Sequence, residues 1–383
     1  MDPSRRKTFL LVFLLFLTGL GVLAGGARSA MAPKLAVFEG ETMGTVWHVS
    51  VVTSRNLSDA QHQTIQTALE DALKEVDFRM STWKEFTELS RLNAQEAIDS
   101  DFELSPELAF VLERALEVSA KTGGAYDVTV GPLVNLWKFG PTRMDSEMPE
   151  IPADEAIAEA RNQIGWQNLK IVPKKVPTRK DAAVPESAKA AVPPKALHRT
   201  KSGLKIDLSS IAKGYGVDGA VRALKKLGMN RFMVEVGGEV RTCGLNQHEK
   251  PWRIGIELPI PDTNQIYGAV ELKDQSLATS GDYRNFRLEG EKRRSHIIDP
   301  RTGKPVEHAL VSVSVLASDC MTADAWATAL MVLGPEEGKN AAQREKLQVL
   351  FLIQDGQKIR SESVGFPFLP NPHLKGQTAA SKE

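Results

Sequence analysis

Asp324 and Thr328 stand four residues apart in the stretch 310–334, LVSVSVLASDCMTADAWATALMVLG. On a helix that spacing points a carboxylate and a hydroxyl the same way. Together they are half of the oxygen set that a hard cation such as magnesium takes. A second group lies in DLSSIAKGYG (207–216), where Asp207, Ser209, Ser210 and Lys213 surround the start of a predicted helix. The free amides and dipole of a helix N-terminus favour an anion, Lys213 adds charge, and Gly214 and Gly216 permit close approach. The spacing is not that of a Walker loop. A third group is Asp127 within TGGAYDVTVGPLVNLWKFG (122–140), a segment both glycine-rich and apolar. Such a loop usually lies against something flat or packs under a lid. His296 stands just ahead of Asp299-Pro300. Each of these also has an ordinary structural reading: Asp324 as a helix-start residue, Asp127 as a turn residue, the serines as a helix cap and His296 as a structural histidine.

The elements that would position these residues follow from periodicity. Alternating or β-branched runs predict strands over 46–52, 169–173, 204–208, 231–242, 252–258, 269–278, 286–288, 296–298, 310–317 and 347–353. Helical periods predict α-helices over 59–80, from Ser105-Pro106 to Gly123-Gly124, over 154–164, from Ser209 or Ser210 onward, and over 321–333. Residues 279–284 turn polar. Gly237-Gly238 inside a strand is expected to mark a bulge or a ligand lying on the backbone. Residues 174–196, KKVPTRKDAAVPESAKAAVPPKA, lack any period and read as an exposed, flexible insertion between two strands, 169–172 and 204–208, that could pair as a hairpin. The polar tail 370–383 is expected to be disordered. Strands and helices mix without regular alternation, which predicts an α+β fold with mixed β-sheets and packed helices.

At 383 residues the chain can bury an ample core, and its zero formal net charge argues against a general nucleic-acid binder. The two cysteines, Cys243 and Cys320, have no metal or redox spacing, and a disulfide between them stays open. Residues 1–30 read as a targeting segment. Arg5, Arg6 and Lys7 precede an apolar run over 9–23, and Ala24, Ala27 and Ala30 offer cleavage points. SRRKTFL approaches a twin-arginine signal, with Phe9 one position late. An uncleaved membrane anchor is the alternative. Either way the body is expected outside the cytoplasm, in the periplasm or on the outer face of the cytoplasmic membrane.

Eight segments, in order, resemble the ApbE family of flavin transferases. They are Met43-Gly44-Thr45, MSTW (80–83) with LSRLN (89–93), 122–140, DLSSIAKGYGVD (207–218), VGGEV (236–240), SGDYRNF (280–286), HIIDPRTGKPV (296–306) and ADAWATALMVLG (323–334). The likeness covers about residues 36–355. It implies one two-lobed, T-fold-like catalytic domain over 36–365, with FAD as substrate in the cleft. The implied reaction moves the FMN half of FAD onto a threonine hydroxyl of another protein, forming a phosphoester and releasing AMP, with Mg2+ required. The implied acceptors are flavoprotein subunits of membrane electron-transfer complexes. Carried over by position, Asp324 and Thr328 look like metal ligands, with Ser210 and the Ala327 backbone as further ligands. Met43, Trp83, Ala125, Tyr126, Asp127, Asp207, Lys213 and Ile298 look like FAD contacts, and His296 matches the histidine near the reacting phosphate.

The residues fit that chemistry. Pyrophosphate cleavage needs charge neutralised on oxygen, which a magnesium ion does as a Lewis acid. A hydroxyl is a poor nucleophile and needs a base or a metal. His296 and Asp207 are the two candidates for the base. Trp83 and Tyr126 suit a flat ring system. Two other readings compete: an FAD pyrophosphatase giving FMN and AMP, and a non-catalytic exported FAD-binding protein.

Overall fold

The structure, a computed structural model, describes residues 33–95, 98, 101–140, 151–174, 194–260, 263, 265–282, 286–289, 292–374 and 378–379. The targeting segment and residues 175–193 of the insertion lie outside the described residues. In chain order the elements are β1 (Lys34–Thr42), β2 (Thr45–Thr53), α1 (Asp59–Met80), α2 (Glu88–Ala94), β3 (Asp101–Leu104), α3 (Pro106–Lys121), α4 (Gly131–Leu136) and α5 (Asp154–Asn162). Then come β4 (Leu169–Pro173), β5 (Lys195–Arg199), α6 (Ala212–Lys226), β6 (Phe232–Val236), β7 (Glu239–Cys243), β8 (Trp252–Glu257), β9 (Ile266–Leu272) and β10 (Ser276–Gly281). The chain continues with β11 (Phe286–Glu289), β12 (Lys292–Ser295), β13 (Ile298–Asp299), β14 (Lys304–Pro305), β15 (Leu310–Ala317), α7 (Cys320–Arg344), β16 (Gln348–Asp355), β17 (Lys358–Val364), β18 (Leu369–Pro370) and β19 (Thr378–Ala379).

One sheet dominates, in the order β1-β2-β6-β7-β10-β15-β16-β17-β19. Its neighbours pair antiparallel except β17 with β19. Successive side chains on a strand point to opposite faces, and both faces of this sheet are covered. Val313, Val315, Val349, Phe351 and Ile353 join a core with α3, α6 and α7. Val49, Val51, Phe232 and Val234 join a second one with α1 and α6. Leu316, Leu350 and Leu352 point the other way, onto Trp252, Val270 and Leu272 of the small sheet β18-β9-β8. Double coverage is why β15 and β16 read as nearly continuous apolar runs. The expected α+β architecture with mixed pairing is the one observed.

Several boundaries differ from the sequence-based expectation. Residues 204–208 are not a strand, and β4 pairs instead with β5, so Lys195 and Ala196 leave the insertion for a buried strand. The segment 204–208 is held by distant groups: Asn93 Oδ1 accepts the Ile206 N–H, and Val128 C=O accepts the Asp207 N–H. Residues 231–242 form two strands, and Gly237 and Gly238 (φ 60° and 104°) are the hairpin turn between them, a conformation that favours glycine at both places. The run 269–278 is likewise divided between β9 and β10, and Thr279 and Ser280 lie inside β10, not in a polar turn. Residues 286–289 pair with 292–295, so His296 falls just past the hairpin. Asp355-Gly356 is followed by a further strand, β17. The described residues of the tail have partners: the Asn371 backbone N–H donates to Tyr267 C=O, and β19 pairs with β17. Cys243 and Cys320 are free thiols.

Helices α6 and α7 cross at Gly214. A Cβ there would sit 2.4 Å from Cys320 O and 2.8 Å from Asp324 Cβ. Gly219, five residues on, is buried but has room for a Cβ, which would meet Arg222 and Ala72 in ordinary contact at 3.6 Å and 3.7 Å. Alanine at the two positions should therefore act oppositely. Gly214→Ala should destabilise by about 1–3 kcal/mol through overpacking, whereas Gly219→Ala should stabilise by about 0.5–1 kcal/mol through helix propensity. Chemical denaturation of both variants checks the pair, and equal effects would contradict the crossing geometry.

Candidate active site

The centre of the candidate site is the start of α7. Asp319 caps it, its Oδ1 accepting the Thr322 N–H at 2.9 Å. Asp218, reaching across from α6, accepts the next two amides: Cys320 N–H at 3.0 Å and Met321 N–H at 2.9 Å. Asp324 is thus not the helix-start residue. It lies one turn inside α7, 3 % exposed, where its Oδ2 accepts the Gly214 N–H at 2.9 Å. Gly214 and Asp218 are four apart on α6, so both face α7. Thr328 follows one turn after Asp324, and its hydroxyl meets Ser280 Oγ of β10 at 3.1 Å. Ala327, between them, is fully buried.

Lys213 directs its ammonium to Glu239 Oε1 at 2.6 Å. Glu239, the first residue of β7, is 2 % exposed, and its Oε2 is buried without a hydrogen-bond partner. Burial alone would pull the lysine down, but Glu239 and Asp324 outweigh it and hold the ammonium above its ordinary range. Burial pushes the Asp324 carboxyl up, opposed by Lys213 and the Gly214 N–H. Burial likewise pushes the Glu239 carboxyl up, to about 8, so two buried carboxyl groups compete for one ammonium and both are drawn toward the neutral acid. Carboxyl and hydroxyl oxygens of this kind suit a hard divalent cation. Asp324, Thr328, Ser280 and Ser210 supply such oxygens, so the residues present fit magnesium.

The glycine-rich loop supplies the next wall. Ser210 Oγ donates to Tyr126 Oη at 2.9 Å. Burial pushes the Tyr126 phenol up, and the charges of Asp324, Asp207 and Asp127 add to the rise. Ser209 and Ser210 do not cap α6, which starts at Ala212. They form the turn before it, where Asp207 Oδ1 accepts the Ser209 N–H at 2.8 Å. Asp127 anchors the loop: Oδ1 accepts the Thr129 N–H and hydroxyl at 2.8 and 2.6 Å, and Oδ2 accepts the Trp166 N–H at 3.1 Å. Ala125 is buried beside it.

The remaining expected contacts belong to other elements, and only Met43 packs on α6. Met43 (φ 47°) packs over Gly216 of α6. Ile298 is buried against Leu133, Trp137 and Ile157. His296 is half-buried, its ring edge-on to Phe139 at 6.3 Å. Trp83 is 59 % exposed, on a loop tied down by Ser81 and Thr87. Glu239, Asp218 and Ser280 were absent from the sequence-based set. Asp218 had a usable signal in its i+4 spacing from Gly214. Glu239 follows the paired glycines, whose sequence reading is a bulge or a ligand lying on the backbone.

A family model described as the ApbE family matches residues 43–351. An FAD:protein FMN transferase of Vibrio cholerae is 39% identical over 359 residues, 93% of this chain and 98% of that protein. One of Escherichia coli K12 is 35% identical over 364 residues, 94% of this chain and 96% of that protein. The solved structure of the flavin transferase ApbE from Vibrio cholerae superposes with a TM-score of 0.74 at 36% identity, covering 88% of this chain and all of that one.

Asp218 gives a direct test of how the start of α7 is held. Asp218→Ala removes the acceptor for two amides and should lower stability by about 1–3 kcal/mol. Asp218→Asn keeps one acceptor oxygen and should lose less. Denaturation midpoints compare them, and equal losses would show that charge, not hydrogen bonding, matters there.

Proposed function

Because the chain belongs to the ApbE family, we propose that it transfers the FMN half of FAD, with Mg2+, onto a threonine hydroxyl of an acceptor flavoprotein, releasing AMP. The observation that carries this reading is the buried Asp324 set between Lys213 and Thr328 at the α6–α7 crossing. The acceptor oxygen bonds to the flavin-side phosphorus, the bond to the bridging oxygen breaks, and AMP departs with that oxygen. The hydroxyl proton passes to a base, His296 or Asp207.

Asp324, Thr328, Ser210 and the Ala327 carbonyl would hold the magnesium, with Ser280 beside Thr328. When bound, the ion supplies Lewis-acid neutralisation of phosphate charge. The chain's own groups do the rest. Phosphoryl transfer passes through a loose transition state, so positioning and electrostatics dominate. Lys213 presents a charged ammonium to a phosphate. Tyr126, Ala125 and Asp127 form a loop pinned by Thr129 and Trp166, which fixes the wall against which the dinucleotide lies. Met43 and Trp83 offer apolar contact to its rings, with Ile298 reaching them only through its backbone or from behind, and an exposed Trp83 leaves area to be covered on binding.

The basic, then apolar, then small-residue order of residues 1–30 supports an exported protein, periplasmic or held at the outer face of the cytoplasmic membrane. That location suits flavoprotein subunits of membrane electron-transfer complexes as acceptors.

Incubation with FAD, Mg2+ and such an acceptor should add one FMN phosphoester to a threonine peptide and release AMP in equal amount, read by mass spectrometry. Asp324→Ala should reduce the rate by at least about 10²–10³-fold, the loss seen when one electrostatic stabiliser is removed. Free FMN with no mass gain on the acceptor would establish hydrolysis instead. Independently of turnover, Mg2+ at a hundred times its Kd should stabilise the wild-type fold by about 2.7 kcal/mol. The same addition should leave Asp324→Ala unmoved, and an equal shift in both proteins would remove Asp324 from the metal site.

A further inference from the structure

We infer that Glu239 is a positioning residue for the transfer reaction, fixing the Lys213 ammonium where it meets the dinucleotide's phosphates; this rests on FAD being the substrate.

Glu239 is presented by a hairpin tip that is locked from both sides. The turn Gly237-Gly238 leads straight into it. Glu235, before the turn, accepts the Gly238 N–H with Oε1 at 2.6 Å and meets His48 Nδ1 with Oε2 at 2.9 Å. Gly237 lies against Thr45, where a Cβ would come within 2.8 Å of the threonine methyl. The backbone that carries Glu239 therefore has little freedom.

The side chain has one partner. Lys213 Nζ sits 2.6 Å from Oε1, while Oε2 is buried and receives no hydrogen bond. A buried carboxylate oxygen left unpaired is costly, and an isosteric apolar pair would serve packing better. The arrangement makes sense where an ammonium must be held at one place. Lysine ends a flexible four-carbon stem, and its head is placed only by what it bonds. One N–H goes to Glu239, and the other two have no partner among the described residues, so they remain for phosphate oxygens. Lys213 follows Ala212 at the start of α6, directly before Gly214, whose N–H holds Asp324. Fixing the ammonium thus fixes it relative to the carboxylate expected to hold the cation.

The test is a double-mutant cycle on FMN transfer, with FAD affinity measured beside it by flavin fluorescence. Glu239→Gln keeps volume and removes the charge. It should lower kcat/KM by about 10–100-fold, as loss of a residue that orients a ligand-bearing group does. Added to Lys213→Ala it should lower kcat/KM no further, because its effect runs through Lys213. A purely structural role predicts the reverse: a lower melting temperature, unchanged kinetics per folded molecule, and an undiminished effect in the Lys213→Ala background. That result overturns the inference. Should Glu239→Gln fail to fold, Lys213→Arg replaces it. The guanidinium keeps the pair and the fold but moves the cationic centre, and wild-type turnover in that variant equally overturns the inference. A wild-type protein that neither binds FAD nor transfers FMN would sink the functional reading itself, and the inference with it. Wild-type transfer with normal Glu239→Gln kinetics sinks only the inference.

Discussion

A single hydrogen bond between two helices, Gly214 N–H to Asp324, sets the geometry on which the rest depends. It forms only because the side chain at 214 is a hydrogen atom, which lets the α6 backbone reach Cys320 and Asp324. Asp218 reinforces the same crossing by accepting the first amides of α7. The oxygen proposed to hold a cation and the lysine proposed to meet a phosphate are thereby referred to one contact. Positional error between them is small because neither rides on a loop.

Charge tells the same story. Asp324 and Glu239 are both buried, and Lys213 answers for one of them. Two buried carboxyl groups with one ammonium between them are unfavourable in an apolar interior. On the proposed reading, a divalent cation and a diphosphate arriving together would relieve that cost, the first supplying positive charge and the second taking up the lysine's spare donors. The hydroxyl pairs Ser280–Thr328 and Ser210–Tyr126 line the same region with groups that can donate or accept as needed.

Much of this was readable in the residues alone, and the failures have a common cause. The helices that carry Asp324, Thr328 and Lys213 were legible because helical period and glycine placement are local signals, whereas Tyr126 entered with the family resemblance. The exact span of α1 was equally plain, since Ser58 and Gln61 form a capping box ahead of Ile65, Leu69 and Leu73. Residues 204–208 were misread as a strand because what holds them, Asn93, lies more than a hundred positions upstream. β5 begins at the end of a Lys/Ala/Pro-rich stretch, which masked its start, and its last residue, Arg199, is buried and donates to Leu92 and Gln95 carbonyls. Glu239 escaped notice because a paired glycine reads alike as a bulge and as a turn, and only strand pairing decides between them.

One further feature is the break in α7. Gly334 (φ 76°) leaves the helical conformation and Pro335 starts a second segment. The outer segment answers to other neighbours: Glu337 binds Arg301, and Lys339 binds Glu362. Asp324 and Thr328 lie wholly on the inner side. The helix is thus two segments with a joint between them, and the residues proposed to grip the chemistry belong to the inner one alone. The outer segment is anchored separately, by its own ion pairs and by Ala341 and Ala342 in the core.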